Sequence, residues 1–264
     1  MFIFYLLLVV SLIDLRGIEE LISEGANLTF DKKLEVITSS FLNVPFKKSS
    51  IGEENEIDPD PIINLDYMDC VTFVEYVIAF VNSRDIKEFK KHVLSLRYIG
   101  GKIDFYNRLH LPDFQWFPNA SKNGYISDIT FQVGKGYVRR FKKRLDKDFI
   151  VDGYKIDSSK LISRDVEIDY IPKEHIFNVY KDIPKYSIIR ILRKDSYRPF
   201  VTTHIGIVVE KGNKKYLRHS SRHFGAKVTD TPLGAYFSTL DKYENWEALG
   251  VALYKINDIN GGTK

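Results

Sequence analysis

Asn64–Val81, NLDYMDCVTFVEYVIAFV, is the stretch that decides how the rest of the chain is read. From Cys70 onward it is apolar almost all round, with only Thr72 and Glu75 polar before Asn82. A run of that length and evenness predicts a helix buried in a domain core. Asp66 and Asp69 are both candidate N-caps, because a short carboxylate accepts the orphan N–H groups of a first turn. Cys70 then lies at, or one turn into, the N-terminal end, where the helix dipole favours negative charge. With a cation or imidazolium nearby, a thiol there falls from about 8.5 into the range of roughly 3.5–7.5 and becomes a nucleophile on a rigid support. The competing reading is structural. Free cysteine is among the most buried residue types and packs as a small hydrophobe. A base elsewhere in the chain decides between the two.

Composition sets wide bounds around that stretch. The 264 residues are 44% hydrophobic and 28% charged, ordinary for one large globular domain or a domain with an extension. Cys70 is the only cysteine, so an intramolecular disulfide is excluded and cysteine usage does not fix the compartment. No CxxC, zinc-spaced Cys/His cluster, Walker motif or GxGxxG run occurs, so no cofactor and no metal is expected. The net charge of +4 is mild. The one dense basic run, Arg139-Arg140-Phe141-Lys142-Lys143-Arg144, reads as a solvated helix face, and no nucleic-acid partner is expected. Residues 1–13, MFIFYLLLVVSLI, match the length of a secretory h-region and are short for a membrane span. No Lys or Arg precedes the run and no A-x-A site follows it. Export to the periplasm or beyond is the expectation; a hydrophobic first helix packed on the domain is the alternative. Membrane contact is expected only through this segment, if it is retained.

The segments on either side change texture along the chain. Leu15–Phe41 has helical spacing, with Leu21-Ile22 and Leu34-Ile37 as anchors around a break at Gly25-Ala26-Asn27. Lys47–Pro61 is polar and reads as a loop delivering the chain to the Cys70 helix. Arg84–Tyr98 predicts an amphipathic helix ended by Gly100-Gly101. Asn107–Trp116, NRLHLPDFQW, crowds aromatic and charged residues around Pro112 and reads as a loop, either a binding surface or a lid. Beyond Phe131, short runs rich in Val, Ile, Tyr and Phe alternate with turns. Phe149–Val151 and Tyr154–Ile156 flank Asp152-Gly153, and Ser187–Leu192, Ile205–Glu210, Lys215–His219 and Gly250–Ile256 read as further strands. Helices first and strands later predict an α+β fold. A single domain over 14–256 is expected, with a frayed tail at 257–264.

Cysteine catalysis needs a base, and a further polar residue to orient it. His92 and His175 read as surface residues, and His110 lies in the crowded loop. His204 and His219 flank Gly212-Asn213, a dipeptide suited to a two-residue hairpin turn. If Lys211 faces Lys214, then Gly206 faces His219 and His204 faces Ser221. Both imidazoles then share one face as diagonal neighbours. A slip of one residue would part them. On that face Gly206 leaves room beside the imidazole. The structural alternative is a pair of satisfied sheet histidines.

In this order the residues carry a resemblance. MDCVTFVE (Met68–Glu75), RLH to Trp116 (Arg108–Trp116), SDIT (Ser127–Thr130), YIPK (Tyr170–Lys173), THIGIV (Thr203–Val208), LRHSS (Leu217–Ser221) and TPLGAY (Thr231–Tyr236) follow one another along the chain. Together they resemble the NlpC-type cell-wall cysteine peptidases, a circularly permuted branch of the papain-like fold. The closer likeness is to domain of unknown function 1460, whose characterised members are N-acetylmuramoyl-L-alanine amidases. The resemblance implies a helix-borne cysteine packed on an antiparallel sheet or half-barrel, with a helical N-terminal extension. It implies Cys70 as nucleophile, His204 as base and acid, and His219 as the orienting residue. It implies that Arg108, His110, Trp116, Tyr67 and Ser220 bind substrate, a peptidoglycan or muropeptide, in a monomer. Leu111 and Pro184-Lys185 depart from the pattern. The rival activities are an endopeptidase of the stem peptide, a thiol acyltransferase and a non-catalytic wall-binding module.

Overall fold

The computed structural model describes residues 15–25, 27–48, 63–144, 149–151, 154–156, 159, 165–194, 201–242 and 246–261. The apolar run 1–13 and most of the loop expected at 47–61 lie outside the described residues.

Helices come first: α1 (Leu15–Gly25), α2 (Phe30–Ser40), α3 (Cys70–Val81) and α4 (Ile86–Arg97). The predicted core helix is α3, buried at every position from Thr72 to Val81. Of the two candidate caps, Asp69 is the one used. Its carboxylate accepts from Val71 N–H at 3.0 Å and Thr72 N–H at 2.8 Å, while Thr72 Oγ1 accepts from Asp69 N–H at 2.9 Å. This reciprocal box satisfies orphan donors on both sides and makes Cys70 the first helical residue. α4 packs on α3 through Phe89, which lies 4.2 Å from the Phe80 ring. His92 is not on the surface. It shares the face of Phe89 and Leu96 by helical spacing, is buried, and its Nδ1 lies 2.8 Å from Tyr125 Oη.

The crowded segment differs from the expected loop. Pro112–Trp116 forms a π-helical turn that runs into α5 (Phe117–Lys122). Proline is tolerated at a first helical position because its missing N–H would have no partner there. The Gln115 side chain caps the start, accepting from Leu111 N–H at 2.8 Å.

After α5 come β1 (Ile126–Asp128), α6 (Thr130–Gly134), β2 (Arg139–Arg144), β3 (Phe149–Val151), β4 (Tyr154–Ile156) and β5 (Asp165–Pro172). Then follow β6 (Ser187–Lys194), β7 (Thr202–Lys211), β8 (Lys214–Ser221), β9 (Lys227–Pro232), α7 (Leu233–Phe237) and β10 (Glu247–Ile256). One eight-stranded antiparallel sheet runs β2-β5-β10-β6-β7-β8-β9, with β1 added on β10; β3 and β4 pair separately. The fold is therefore α+β, with the helices layered on an antiparallel sheet. Ile205, Ile207 and Val228 pack into the core that holds α3 and α4, whereas Val208, Leu217, Leu233 and Tyr236 belong to a second core on the other face.

Two expectations are corrected. The basic run is not a helix face but β2, an edge strand set against an acidic neighbour: Arg140 faces Asp169, Lys142 faces Glu167 and Arg144 faces Asp165. Opposite charges directly across a ladder stabilise pairing, and the run has no apolar stripe to seat a helix. The tail is not frayed through residue 261. Asn82 accepts from Ile259 N–H at 2.9 Å through its side chain, and its carbonyl accepts from Asn260 Nδ2 at 2.7 Å.

Candidate functional site

β7 and β8 form the expected hairpin around Gly212-Asn213. Lys211 faces Lys214, and the pairing runs inward to Ile207 opposite Arg218. Continuing that count puts Gly206 opposite His219 and His204 on the same face. Gly206 is required there by close approach: a Cβ would lie 2.8 Å from Leu217 Cδ1, 2.9 Å from the Arg218 carbonyl oxygen and 3.0 Å from His219 Cβ. On the other side of β7 the register slips. Ile191 faces His204, but Leu192 faces Thr202, so Thr203 is the extra residue of a bulge. Bulges re-aim the side chains beside them. The start of β7 is held by buried Asp113, which accepts from Val201 N–H at 2.5 Å and pairs with Arg190. Arg190 also donates to Thr202 Oγ1 at 2.7 Å and to Tyr254 Oη at 2.9 Å.

The two imidazoles meet as the sequence predicts. His204 Nε2 and His219 Nδ1 are 2.6 Å apart, and His219 Nε2 lies 3.0 Å from Thr231 Oγ1. Aromatic rings close around them: Tyr236 lies 6.1 Å from the His204 ring and 5.5 Å from that of His219, and Phe224 lies 5.2 Å from His219. Burial among these groups pushes His219 down to about 4, against a small opposing pull from Asp230. Burial holds His204 well below its ordinary value, and His219 and His223 add to the effect.

Cys70 reaches the same strand. It is partly exposed, and the backbone N–H of Ile205, the residue that follows His204, acts on its thiol to lower the pKa. His204 Nδ1 is the ring nitrogen not committed to His219. The thiol is not the lowered one that the helix dipole predicts. Desolvation pushes it up to about 12, and the Asp69 carboxylate that caps the helix adds to the rise. The group that ends α3 correctly also places a negative charge next to the sulfur, and together with burial it outweighs the dipole. These shifts all favour the neutral forms of thiol and imidazoles.

The other predicted residues divide by position. Ser220 is fully buried, and its Oγ donates to the Met68 carbonyl at 2.6 Å. That carbonyl also accepts from Lys47 N–H at 3.3 Å, so Ser220 helps to pin the backbone entering α3. Tyr67 is half-buried, with Lys47 Nζ 4.3 Å above its ring. Trp116 is 3% exposed, and its Nε1–H donates to Glu75 of α3 at 2.9 Å. Arg108 is buried and donates to Tyr98 Oη at 3.2 Å. His110 lies 2.8 Å from the Phe105 carbonyl through Nε2. The structure thus brings His204 and His219 together and sets Ser220 on the Met68 carbonyl ahead of Cys70, while Trp116 meets Glu75, Arg108 meets Tyr98 and His110 meets the Phe105 carbonyl. Sequence reasoning missed Thr231, Asp113 and Arg190. Only Thr231 carried a signal, as the first residue of TPLGAY.

A thiol at a helix start and a pair of imidazoles on neighbouring strands of an α+β scaffold mark a candidate hydrolase. Residues 36–242 match the AmiA-like family, described as N-acetylmuramoyl-L-alanine amidase-like, and the chain belongs to that family. Membership supports a hydrolase acting on peptidoglycan. No curated protein matches the chain by sequence. Among solved structures, a Legionella pneumophila protein of the DUF1460 family superposes with a TM-score of 0.80 at 19% identity, over 92% of this chain and 94% of that one. An N-acetylmuramoyl-L-alanine amidase from Bacteroides uniformis superposes with a TM-score of 0.66 at 22% identity, over 85% of this chain and 98% of that one. At these identities the likeness is one of fold. No described helix is long and apolar enough to cross a membrane.

Proposed function

We propose that the chain is a cysteine-dependent N-acetylmuramoyl-L-alanine amidase of papain-like, NlpC-like architecture, exported to act on the cell wall or its muropeptides. The observation that carries this reading is the His204–His219 contact at 2.6 Å, with His204 next in sequence to Ile205, whose amide acts on the Cys70 thiol. With thiol and imidazole both neutral at rest, deprotonation accompanies attack. The Cys70 Sγ–H proton passes to His204 Nδ1 as sulfur bonds to the lactyl carbonyl carbon. The carbonyl becomes an oxyanion. The Val71 and Thr72 amides are taken by Asp69, so the Cys70 N–H is the first-turn donor assigned to it. When the oxyanion collapses, the C–N bond breaks and Nδ1–H protonates the amine of the departing L-alanine. Water then attacks the thioester, gives its proton to Nδ1, and the C–S bond breaks to release the muramic carboxylate and the thiol. His219 accepts from His204 Nε2–H throughout and steadies the transient imidazolium. Tyr67 lies closest in sequence to the nucleophile among the residues assigned to substrate contact; Arg108 and His110 are assigned to the cleft wall.

The test is digestion of purified muropeptides, with products weighed, by the wild type and by Cys70→Ala. Release of an intact L-alanyl peptide, lost by about 10⁴-fold or more in the variant, is expected. A stem peptide cut between amino acids would make the protein an endopeptidase. Transfer of a labelled acyl group to an acceptor in preference to water would make it an acyltransferase. Activity retained in Cys70→Ala would end the thiol mechanism.

A further inference from the structure

Three strands contribute to one file of polar groups on one face of the sheet. His204 is on β7, His219 on β8 and Thr231 on β9, and the contacts between them are 2.6 Å and 3.0 Å. The β8–β9 register produces the second contact: His219 faces Thr229, so Thr231, two along, is its diagonal neighbour on the same face. We propose that Thr231 is a positioning residue for the reaction, acting through His219 as the terminal acceptor that sets the proton direction along the file. This rests on the amidase reading of the site.

A neutral imidazole has one N–H and one acceptor nitrogen. If Thr231 Oγ1 accepts from His219 Nε2–H, then His219 Nδ1 is bare and accepts from His204 Nε2–H. His204 Nδ1 is then bare too, which is the state a base needs. If the file ran the other way, with the Thr231 hydroxyl donating, His204 would carry its proton on Nδ1 and have nothing to receive the thiol proton with. A carboxylate at the end of the file would also accept, but it would draw His219 toward the cation. The nearest acid, Asp230, is turned away. Its two oxygens are held by Arg218 Nε and an Arg218 terminal nitrogen, each at 2.7 Å, and Lys211 Nζ adds a third contact at 2.7 Å. Asp230 faces Arg218, which reaches Thr38 and Ser39 on α2, on the opposite side of β9 from Thr231. A hydroxyl, buried and neutral, ends the file without charging it.

The experiment compares Thr231→Val, which keeps the shape and removes the hydroxyl, with Thr231→Ser, which keeps the hydroxyl, in the full chain. Thr231→Val is expected to lower kcat about 10–100-fold, as outer-layer partners of functional histidines do, with KM little changed. Thr231→Ser should return kcat to within a few-fold of wild type. A merely structural role would lower the melting temperature of the Val variant without this split and without rescue. Nitrogen-15 NMR of histidine-labelled protein supplies a readout that needs no turnover: His219 should carry its proton on Nε2 in wild type and Thr231→Ser, and lose that preference in Thr231→Val. A wild-type His219 protonated on Nδ1, or an unchanged kcat in Thr231→Val, would overturn the proposal. If the wild type does not cleave muropeptides, the amidase reading fails and the nitrogen signals alone decide the file's direction.

Discussion

Two sets of buried polar side chains, one reaching α3 and one on β7 and β8, keep different states of charge. Glu75 accepts from Arg97 Nε at 2.7 Å and from Trp116 Nε1 at 2.9 Å, and both ion-pair side chains are almost wholly enclosed. Burial works against the guanidinium's charge, but Glu75 and Tyr76 hold Arg97 above its ordinary value. Across β7 and β8, His204 and His219 are enclosed with only a small pull from Asp230 on His219, and burial favours the neutral form of both. The difference lies in partners. A buried ion paired and hydrogen-bonded on its own side stays an ion and ties elements together; a buried base without a counter-ion stays neutral and remains available to receive a proton. The first arrangement is scaffold, and the second is suited to chemistry.

The strongest way to break this comparison is to remove one partner from the charged set. Glu75→Ala leaves Arg97 buried and uncompensated, and is expected to destabilise the fold by about 3–5 kcal/mol, read by denaturant unfolding. Glu75→Ala combined with Arg97→Met should recover part of that loss, because the orphaned charge has gone. A change below about 1 kcal/mol for the single variant would show that the pair is less enclosed than its geometry implies.

Acid probes the neutral set. His219 titrates near its ordinary value of about 6.5 when unfolded and near 4 when folded. Its folded value is depressed, so between those limits the unfolded chain binds the proton more readily. The associated stability is complete above about pH 6.5 and is lost as pH falls toward 4, by up to about 3 kcal/mol, before levelling off. His204 moves the same way. Thermal melts from pH 7 to 4 in wild type and in His219→Gln should separate: the variant should lose less stability across that window. Parallel curves would mean that His219 carries its proton in the folded state and that the file is charged.

These contrasts show which parts of the molecule were legible from one sequence. The α3 helix and its thiol were, because an all-round apolar run has few ways to fold and Asp69 is a strong local cap. The His204–His219 pairing was, because a two-residue turn fixes the register of its hairpin and alternation fixes the face. The state of the thiol was not. It depends on how much water the sulfur loses and on a capping carboxylate whose other effect, on charge, runs against the dipole. Thr231 was not, because β9 lacked an apolar alternation to mark it as a strand, and its contact with His219 comes from pairing rather than from local pattern. His92 read as surface because its helix is rich in charge, and Trp116 as cleft only through the resemblance; in the fold their polar atoms meet Tyr125 and Glu75.

The basic run teaches the same lesson at the surface, and it yields the smallest effect. Six residues from Arg139 to Arg144 look like a helix face only while their complement, Asp165-Val166-Glu167-Ile168-Asp169, is unread. Once β2 and β5 are paired, Arg140 meets Asp169 at 2.6 Å and Glu167 at 3.3 Å, and Lys142 meets Glu167 at 2.5 Å. These pairs face solvent, so water and salt screen them, and each is worth well under what the Glu75–Arg97 pair is worth. Arg140→Ala is expected to shift the denaturant midpoint only slightly and to leave any muropeptide cleavage unchanged, with the shift shrinking further in high salt. A larger, salt-independent loss would mean that β2 is held by its charges rather than by its ladder, and that the edge of the sheet shares the physics of its buried ion pairs.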